Sequence, residues 1–459
     1  MQSPHQLTIR PVLRFRRKIL VNSIENIVPI GHRYDTTEYE DLSDNQNYIH
    51  WVETAKLYER ALRARFLTQQ APRSTSISSE IRVLTLRVDH SDRANLDHAL
   101  STTYSNLQAG DMLVLDAPAP IFAGKDCASQ RDLVSRALFK AGFDHSMIWA
   151  GRKVLEAENG SSIVNRFLPS SALGAGPPQI PSVTTPLKVL PQQIIAIGRR
   201  GELAPPAERT MRLSVVMPVY NERETFREVI ERLLAKTIPG FEIEICIVES
   251  RSTDGTRDEV LRYKDHPRVR LLLEETPSGK GHAVRNGFQI ASGDVILIQD
   301  ADLEYDLDDY EKLLKPIVSF NSSFVLGSRH PAGSSAWQLR RFADQRAVAD
   351  VMNIGHLFFT WFLNLIFRQS LRDPFTMYKV FRRDCINNVR FECNRFDFDH
   401  ELVGKLIRNG FWPTEIDVHY ESRSFRQGKK VSFFRDPPTW IKACIRHRFS
   451  SLHIWPASI

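Results

Sequence analysis

Between residues 213 and 299, short apolar runs alternate with amphipathic stretches in a fixed rhythm. Segments 213–219, 242–248, 269–273 and 295–299 are runs of Val, Ile, Leu and Met, largely without polar alternation, as expected of strands covered on both faces. Segments 223–235, 256–263 and 283–291 between them carry helical periodicity. This order predicts an α/β fold with a mostly parallel sheet flanked by helices, and it directs the search for chemistry to the carboxyl ends of the strands. Nearer the N-terminus, 81–88 and 112–115 read as strands, 130–141 as a helix and 146–155 as strand-like, with Gly110 and Gly142 as breakers, which predicts a separate α/β domain.

Between these regions Pro177, Pro178, Pro181, Pro186, Pro191, Pro205 and Pro206 interrupt a stretch with little periodicity, read as a linker. A long helix is expected within 340–367, where Phe358, Trp361, Phe362, Leu365 and Ile366 form one apolar stripe. Segment 440–449 is basic and amphipathic. The expected organisation is therefore 1–168, an N-terminal domain; 169–210, a linker; 211–435, the main α/β domain; and 436–459, a basic C-terminal segment.

Composition changes this picture little. With 459 residues, 42% apolar and 25% charged, the chain is long enough for roughly three folded units, and neither disorder nor a polytopic membrane protein fits. The net charge of +7 is concentrated at 340–341, 423–430 and 446–448, basic patches suited to phosphate. No nucleic-acid-binding module accompanies them, so nucleic acid is not an expected partner. Cys127, Cys246, Cys385, Cys393 and Cys444 are odd in number and scattered, and the spacing of Cys385 and Cys393 suits no zinc site, which favours a reducing compartment. The basic N-terminus lacks the apolar core of a signal peptide, and the run 357–367 falls short of the ~20 residues needed to cross a bilayer. A cytoplasmic location is expected.

The strand ends carry the candidate chemistry. Pro218-Val219-Tyr220-Asn221-Glu222 offers an aromatic face and a carboxylate where a nucleobase could stack and be read. Glu249 is followed by Ser252-Thr253-Asp254-Gly255-Thr256, where Ser252 or Asp254 could cap a helix. Asp300-Ala301-Asp302, with Glu304 two residues on, supplies the hard oxygens that Mg²⁺ or Mn²⁺ needs while it also holds a diphosphate. His282, His330, His356 and His400 are scattered and read as ordinary polar or core histidines. Ser328 and Ser424 lack the sequence of a nucleophile elbow, so hydrolase chemistry does not fit.

Five blocks occur in a telling order: Pro218 to Glu222, Ser252 to Thr256, Gly279-Lys280-Gly281 with Ala283, Arg285 and Gly287, Gln299 to Glu304, and Gly327-Ser328-Arg329. With them, the region from about 211 to 435 resembles inverting family 2 glycosyltransferases of the GT-A fold, the group that includes dolichyl-phosphate mannosyltransferase. The resemblance implies a Rossmann-like GT-A domain moving a sugar from a UDP- or GDP-sugar to a polyprenyl phosphate or glycan-type acceptor. It implies that Pro218, Tyr220 and Glu222 line the base pocket. Glu249 stands where the family usually has an aspartate reading base or ribose, and Ser250 replaces a second aspartate. Asp300 is implied near ribose and metal, Asp302 and Glu304 at Mg²⁺ or Mn²⁺, and Lys280 and Arg329 at the diphosphate or sugar.

On the acceptor side the resemblance points to Asp399 as base, with Asp397 and Glu401 as rivals. Alternation would place Asp397 and Asp399 on one face if the segment were extended, and one of the three is expected to cap a helix over 401–408. Segment 420–430, with Arg423 and Lys429, resembles the part by which relatives close over the diphosphate. Relatives acting on polyprenyl phosphates place a helix like that within 340–367 at the membrane interface, which implies peripheral attachment. Segment 107–143 resembles the second half of a methyltransferase-like domain, but no glycine-rich turn occurs in 1–80, so a degenerate, non-catalytic domain is expected. Two alternatives stand beside the main reading: transfer to a soluble hydroxyl, and a non-catalytic nucleotide-sugar-binding scaffold.

Overall fold

The computed structural model describes residues 8–9, 13–14, 82–87, 93–109, 112–118, 127–150, 193–330, 346–386, 389–422 and 436–449. The chain divides into two compact units, Met1–Pro205 with Ile454–Ile459, and Pro206–His453.

The first unit contains β1 (Thr8–Ile9), β2 (Leu13–Arg14), β3 (Arg82–Arg87), α1 (Arg93–Asn106), β4 (Met112–Pro118), α2 (Cys127–Ala141), β5 (Phe143–Ala150) and β6 (Gln193–Arg200). Its sheet runs β1-β3-β4-β6-β5, with β2 also beside β3. Strands β3 and β4 are parallel, whereas β6 is antiparallel to both of its neighbours. Leu96, Leu100, Leu113, Leu115, Val134, Leu138 and Phe143 form its core. The unit is α/β as expected, but β6 corrects the linker assignment. Prolines dominate 177–191, yet the run from Gln192 to Ala204 has none and holds Ile194-Ile195-Ala196-Ile197, enough for a strand.

The second unit begins with β7 (Met211–Val219), α3 (Phe226–Ala235), β8 (Phe241–Glu249), α4 (Thr256–Leu261), β9 (Val269–Leu273), α5 (Lys280–Ile290) and β10 (Val295–Ile298). It continues with α6 (Tyr310–Val318), β11 (Phe324–Ser328), α7 (Arg346–Phe367), β12 (Lys379–Arg382), α8 (Phe398–Arg408), β13 (Thr414–Asp417) and α9 (Asp436–Phe449). All seven residues from Leu213 to Val219 in β7, and from Ile243 to Glu249 in β8, are buried. Helix α3 buries Phe226, Val229, Ile230 and Leu233, at i, i+3, i+4 and i+7, against them.

Strand order is β13-β11-β12-β10-β7-β8-β9. Strands β9, β8, β7 and β10 are mutually parallel, and β12 enters antiparallel between β10 and β11. This insertion positions the site. The start of β12 lies beside the carboxyl ends of β10 and β11, with Lys379 opposite Leu326 and Val380 opposite Leu297. The carboxyl ends of β7, β8, β10 and β11 thus share one edge with Lys379.

One helix start and the length of one apolar run need correction. Helix α8 starts at Phe398, so Asp397 stands at its N-cap and Asp399 in its first turn; the extended alternation does not occur. Helix α7 is 22 residues long, because Ala349, Val351, Met352 and Ile354 extend the apolar run toward the N-terminus. By length and composition alone, its segment Ala349–Phe367 is apolar enough to cross a membrane, with 33% of its most apolar window buried inside the fold.

Candidate active site

The loop after β7 is knitted to the turn after β8. The Asn221 N–H donates to Ser252 Oγ at 2.9 Å, the Thr253 N–H to Asn221 Oδ1 at 2.8 Å, and the Glu222 N–H to Thr256 Oγ1 at 2.9 Å. Asn221 sits at φ +50°, a conformation Asn tolerates better than most residues. Asp254 takes the capping role, accepting the Thr256 N–H at 3.0 Å and its hydroxyl at 2.6 Å. Tyr220 follows the last residue of β7 with 37% of its surface exposed, the placement a stacking residue needs.

Glu249 is fully buried. Its Oε1 accepts the Ser252 N–H at 2.6 Å and its Oε2 is bonded to Arg257 Nε. Arg257 also donates to the Glu274 carbonyl at 2.6 Å. Glu249 therefore ties β8, the Ser252 turn and the end of β9 together, which differs from the expectation that it reads a base directly.

The end of β10 carries the acidic residues. Lys280 Nζ lies 2.7 Å from Asp300 Oδ1. Asp302, 6% exposed, accepts the Glu304 N–H at 3.1 Å, and Glu304 Oε2 accepts the Tyr420 hydroxyl at 3.1 Å. The three carboxylates are not drawn into one cluster: among the described residues, the only group of three acidic, His or Cys side chains with ligand atoms all within 4.8 Å lies elsewhere. A pair of carboxylates, Asp300 and Asp302, remains a chemically suitable donor set for Mg²⁺ or Mn²⁺, which commonly bind one or two protein carboxylates and complete their shell from phosphate and water.

Lys280 opens α5 under tight constraint. Gly279 has φ +106°, and a Cβ there would lie 2.5 Å from the Asn394 carbonyl; one on Gly281 would lie 2.5 Å from Phe398 Cβ. Both positions require glycine. Burial works against the Lys280 ammonium, but Asp300, Asp399 and Asp302 outweigh it and hold its pKa above the ordinary lysine value.

On the acceptor side, Arg329 forks onto the fully buried Asp373 through Nε and Nη2, both at 2.7 Å, and stacks over Tyr420. It was expected to meet the diphosphate or the sugar; in the structure its guanidinium is paired with Asp373. Burial raises the Asp373 carboxyl pKa, but Arg329 more than reverses this and holds it well below the usual carboxylate range. His356 Nε2 is 3.7 Å from Asp373 Oδ1 and 3.1 Å from His330 Nε2. Asp399 Oδ1 accepts from the fully buried Lys379 Nζ at 2.8 Å. Glu401 is also fully buried, accepting the Cys393 N–H at 2.7 Å and pairing with Lys405 at 2.6 Å, which makes it a structural group. His400 packs against Phe375 and Trp440, and burial, with Lys379 nearby, lowers its pKa to about 3, keeping it neutral. Arg423 and Lys429 lie outside the described residues.

The structure therefore pairs Lys280 with Asp300 and Lys379 with Asp399 near the strand ends, and Asp302 follows two residues after Asp300. Sequence reasoning gave no role to Arg257 or Lys379. The available signal was charge balance: a carboxylate or ammonium in an apolar strand context needs a buried partner.

A family model described as glycosyl transferase family 2 matches residues 214–387. Glycosyltransferase AglD of Haloferax volcanii is 27% identical over 252 residues, covering 52% of this chain and 38% of that protein. Dolichol-phosphate mannosyltransferase of Pyrococcus furiosus is 26% identical over 225 residues, covering 48% of this chain and 61% of that protein. The chain thus spans less than two thirds of the length of either. The crystal structure of mannosyl-3-phosphoglycerate synthase from Rubrobacter xylanophilus aligns with 17% identity and a TM-score of 0.38, over 53% of this chain and 75% of that one. The first unit lies outside the family match, and residues 214–387 of the second match the glycosyl transferase family 2 model.

Proposed function

We propose that the second unit is an inverting hexosyltransferase that moves a sugar from a UDP- or GDP-sugar to a polyprenyl phosphate. The observation that carries this reading is the Lys280–Asp300 pair, with Asp302 two residues on, after the carboxyl end of β10, the parallel neighbour of the strand that leads into Tyr220. Tyr220 stacks the base, and Pro218 and Glu222 shape its pocket. Asp302 and Asp300, with Glu304 as a further candidate, would hold Mg²⁺ or Mn²⁺, which when bound would supply positive charge to the leaving diphosphate. Lys280 holds Asp300 in place and adds charge on the phosphate side. Arg423 and Lys429 close over the diphosphate.

A phosphate acceptor is already an anion and needs no base, which suits a site whose acceptor-side carboxylate, Asp399, already holds the Lys379 ammonium. The exposed stripe of α7 supports a lipid-borne acceptor. Val351, Ile354, Phe358, Trp361 and Leu365 follow one another at three- and four-residue steps on its outer face, with Trp361 58% and Leu365 59% exposed, and no charged residue lies between Val351 and Phe367. This face lies on the cytoplasmic leaflet of a membrane as a peripheral contact. In vesicle sedimentation, the double change Phe358→Glu and Leu365→Glu is expected to weaken binding at least about tenfold, since burying each apolar side chain is worth about 1.5–3 kcal/mol. Unchanged sedimentation would remove the membrane from the proposal.

The decisive assay incubates the full chain with UDP-glucose or GDP-mannose, with Mg²⁺ or Mn²⁺, and with polyprenyl phosphate in vesicles. Product is expected only when lipid phosphate is present, and Asp399→Asn is expected to retain most of that activity. Turnover on a soluble hydroxyl that Asp399→Asn abolishes would support the alternative acceptor. Nucleotide-sugar binding that metal does not tighten, without turnover, would support the scaffold.

A further inference from the structure

A second group of ligand-type side chains lies away from the strand ends. Cys393, on the loop before α8, Glu401, in the first turns of α8, and His447, near the end of α9, place their ligand atoms within 4.8 Å of one another. Cys393 Sγ lies 3.3 Å from His447 Nε2, and His447 Nε2 lies 3.6 Å from Glu401 Oε1. Ligands at about 2.0–2.3 Å around a tetrahedral zinc stand about 3.3–3.6 Å apart, so these two separations match neighbouring ligands of one zinc ion.

The surroundings fix these groups. Glu401 is held by the backbone N–H groups of Glu392 and Cys393, and His447 is 1% exposed. The Cys393 thiol faces the Glu401 carboxylate and the buried His447 imidazole, and Lys405 lies 2.6 Å from Glu401 Oε1. The mixed sulfur, nitrogen and oxygen set selects zinc over Mg²⁺ or Mn²⁺, which prefer oxygen alone.

We propose that Cys393, Glu401 and His447 form a zinc site that pins α9 and the 391–397 loop to α8. Binding releases the thiol proton to solvent, so affinity rises with pH. The site bears on the donor pocket through contacts already described. The Cys393 loop packs against Gly279 and Gly281, and the His282 N–H donates to the Asn394 carbonyl at 3.0 Å, so the loop that zinc would fasten also braces Lys280. The cysteine spacing that excluded a zinc site considered neighbouring cysteines only; these ligands meet across 54 residues of chain.

The test uses the full chain, stripped with chelator and titrated with Co²⁺. One equivalent is expected to produce a thiolate-to-cobalt charge-transfer band and the visible bands of tetrahedral Co²⁺, both abolished by zinc, and zinc is expected to raise the melting temperature. Cys393→Ser is expected to lose the charge-transfer band and at least about 100-fold in zinc affinity. Cys444→Ser and Asp302→Asn are expected to keep the band, separating this site from the donor-site metal. Absence of a thiolate band in the wild-type chain, or its persistence in Cys393→Ser, would overturn the proposal. Should Cys393→Ser fail to fold, the wild-type spectrum and its response to zinc decide the matter alone.

Discussion

Asp302→Asn is expected to lower kcat/KM for sugar transfer about 10²- to 10³-fold, or about 3–4 kcal/mol in the transition state, comparable to losing a preorganised group aimed at developing charge. The change removes one negative charge and leaves the side chain's size unchanged. Asp302 is nearly buried, and one of its oxygens already holds the Glu304 N–H, which an amide oxygen can keep. Folding should therefore survive, and the loss should fall on metal and diphosphate. Steady-state kinetics at saturating Mn²⁺ provide the check, together with isothermal titration of the nucleotide with and without metal. The expected pattern is a lower kcat and the loss of metal-tightened nucleotide binding. Wild-type kinetics in this variant would remove the carboxylates after β10 from the reaction.

Asp373→Ala acts on the fold instead. It leaves the Arg329 guanidinium, 7% exposed in its side chain, without the carboxylate that accepts from its backbone N–H, Nε and Nη2. Removing one partner of a buried pair costs about 3–5 kcal/mol, whereas replacing both with apolar groups costs much less. Urea unfolding should show that loss in Asp373→Ala and a partial recovery in the double variant with Arg329→Met. The same pair sets an acid limit. Because the folded-state pKa of Asp373 is depressed, its contribution is present above the unfolded carboxylate pKa and fades as pH falls toward the folded one. The stability of the wild-type second unit should thus decline from about pH 4 downward, less steeply in the double variant. Equal stability of Asp373→Ala and wild type would contradict the buried pair.

The four parallel strands and the helices between them could be read to within a few residues, because β7, β8 and β10 are continuous apolar runs and α3 has a clear 3.6-residue period. Strand β12 could not. Its four residues are Lys-Val-Phe-Arg, and both charged ends are buried, Lys379 against Asp399 and Arg382 against Asp384. Long-range ion pairing concealed the strand, and with it the approach of Lys379 to the site. The block from Pro218 to Glu222 and the acidic residues after β10 were legible because strand ends in a parallel sheet concentrate chemistry. Glu249 was misread as a recognition group because its partner Arg257, eight residues later, meets it only after the chain has turned back through Ser252. The start of α8 was misplaced because Phe396-Asp397-Phe398-Asp399 alternates like a strand although its backbone is helical from Phe398.

The glycines flanking Lys280 press directly on the loop and helix that carry Asp399, with no side chain in between to absorb movement. Under the proposed function, an acceptor that displaced α8 would shift Lys280 as well, and thermodynamic reciprocity would then require the donor to change the acceptor's affinity by the same factor. An ordered, donor-first or acceptor-first kinetic scheme is the form such a linkage would take.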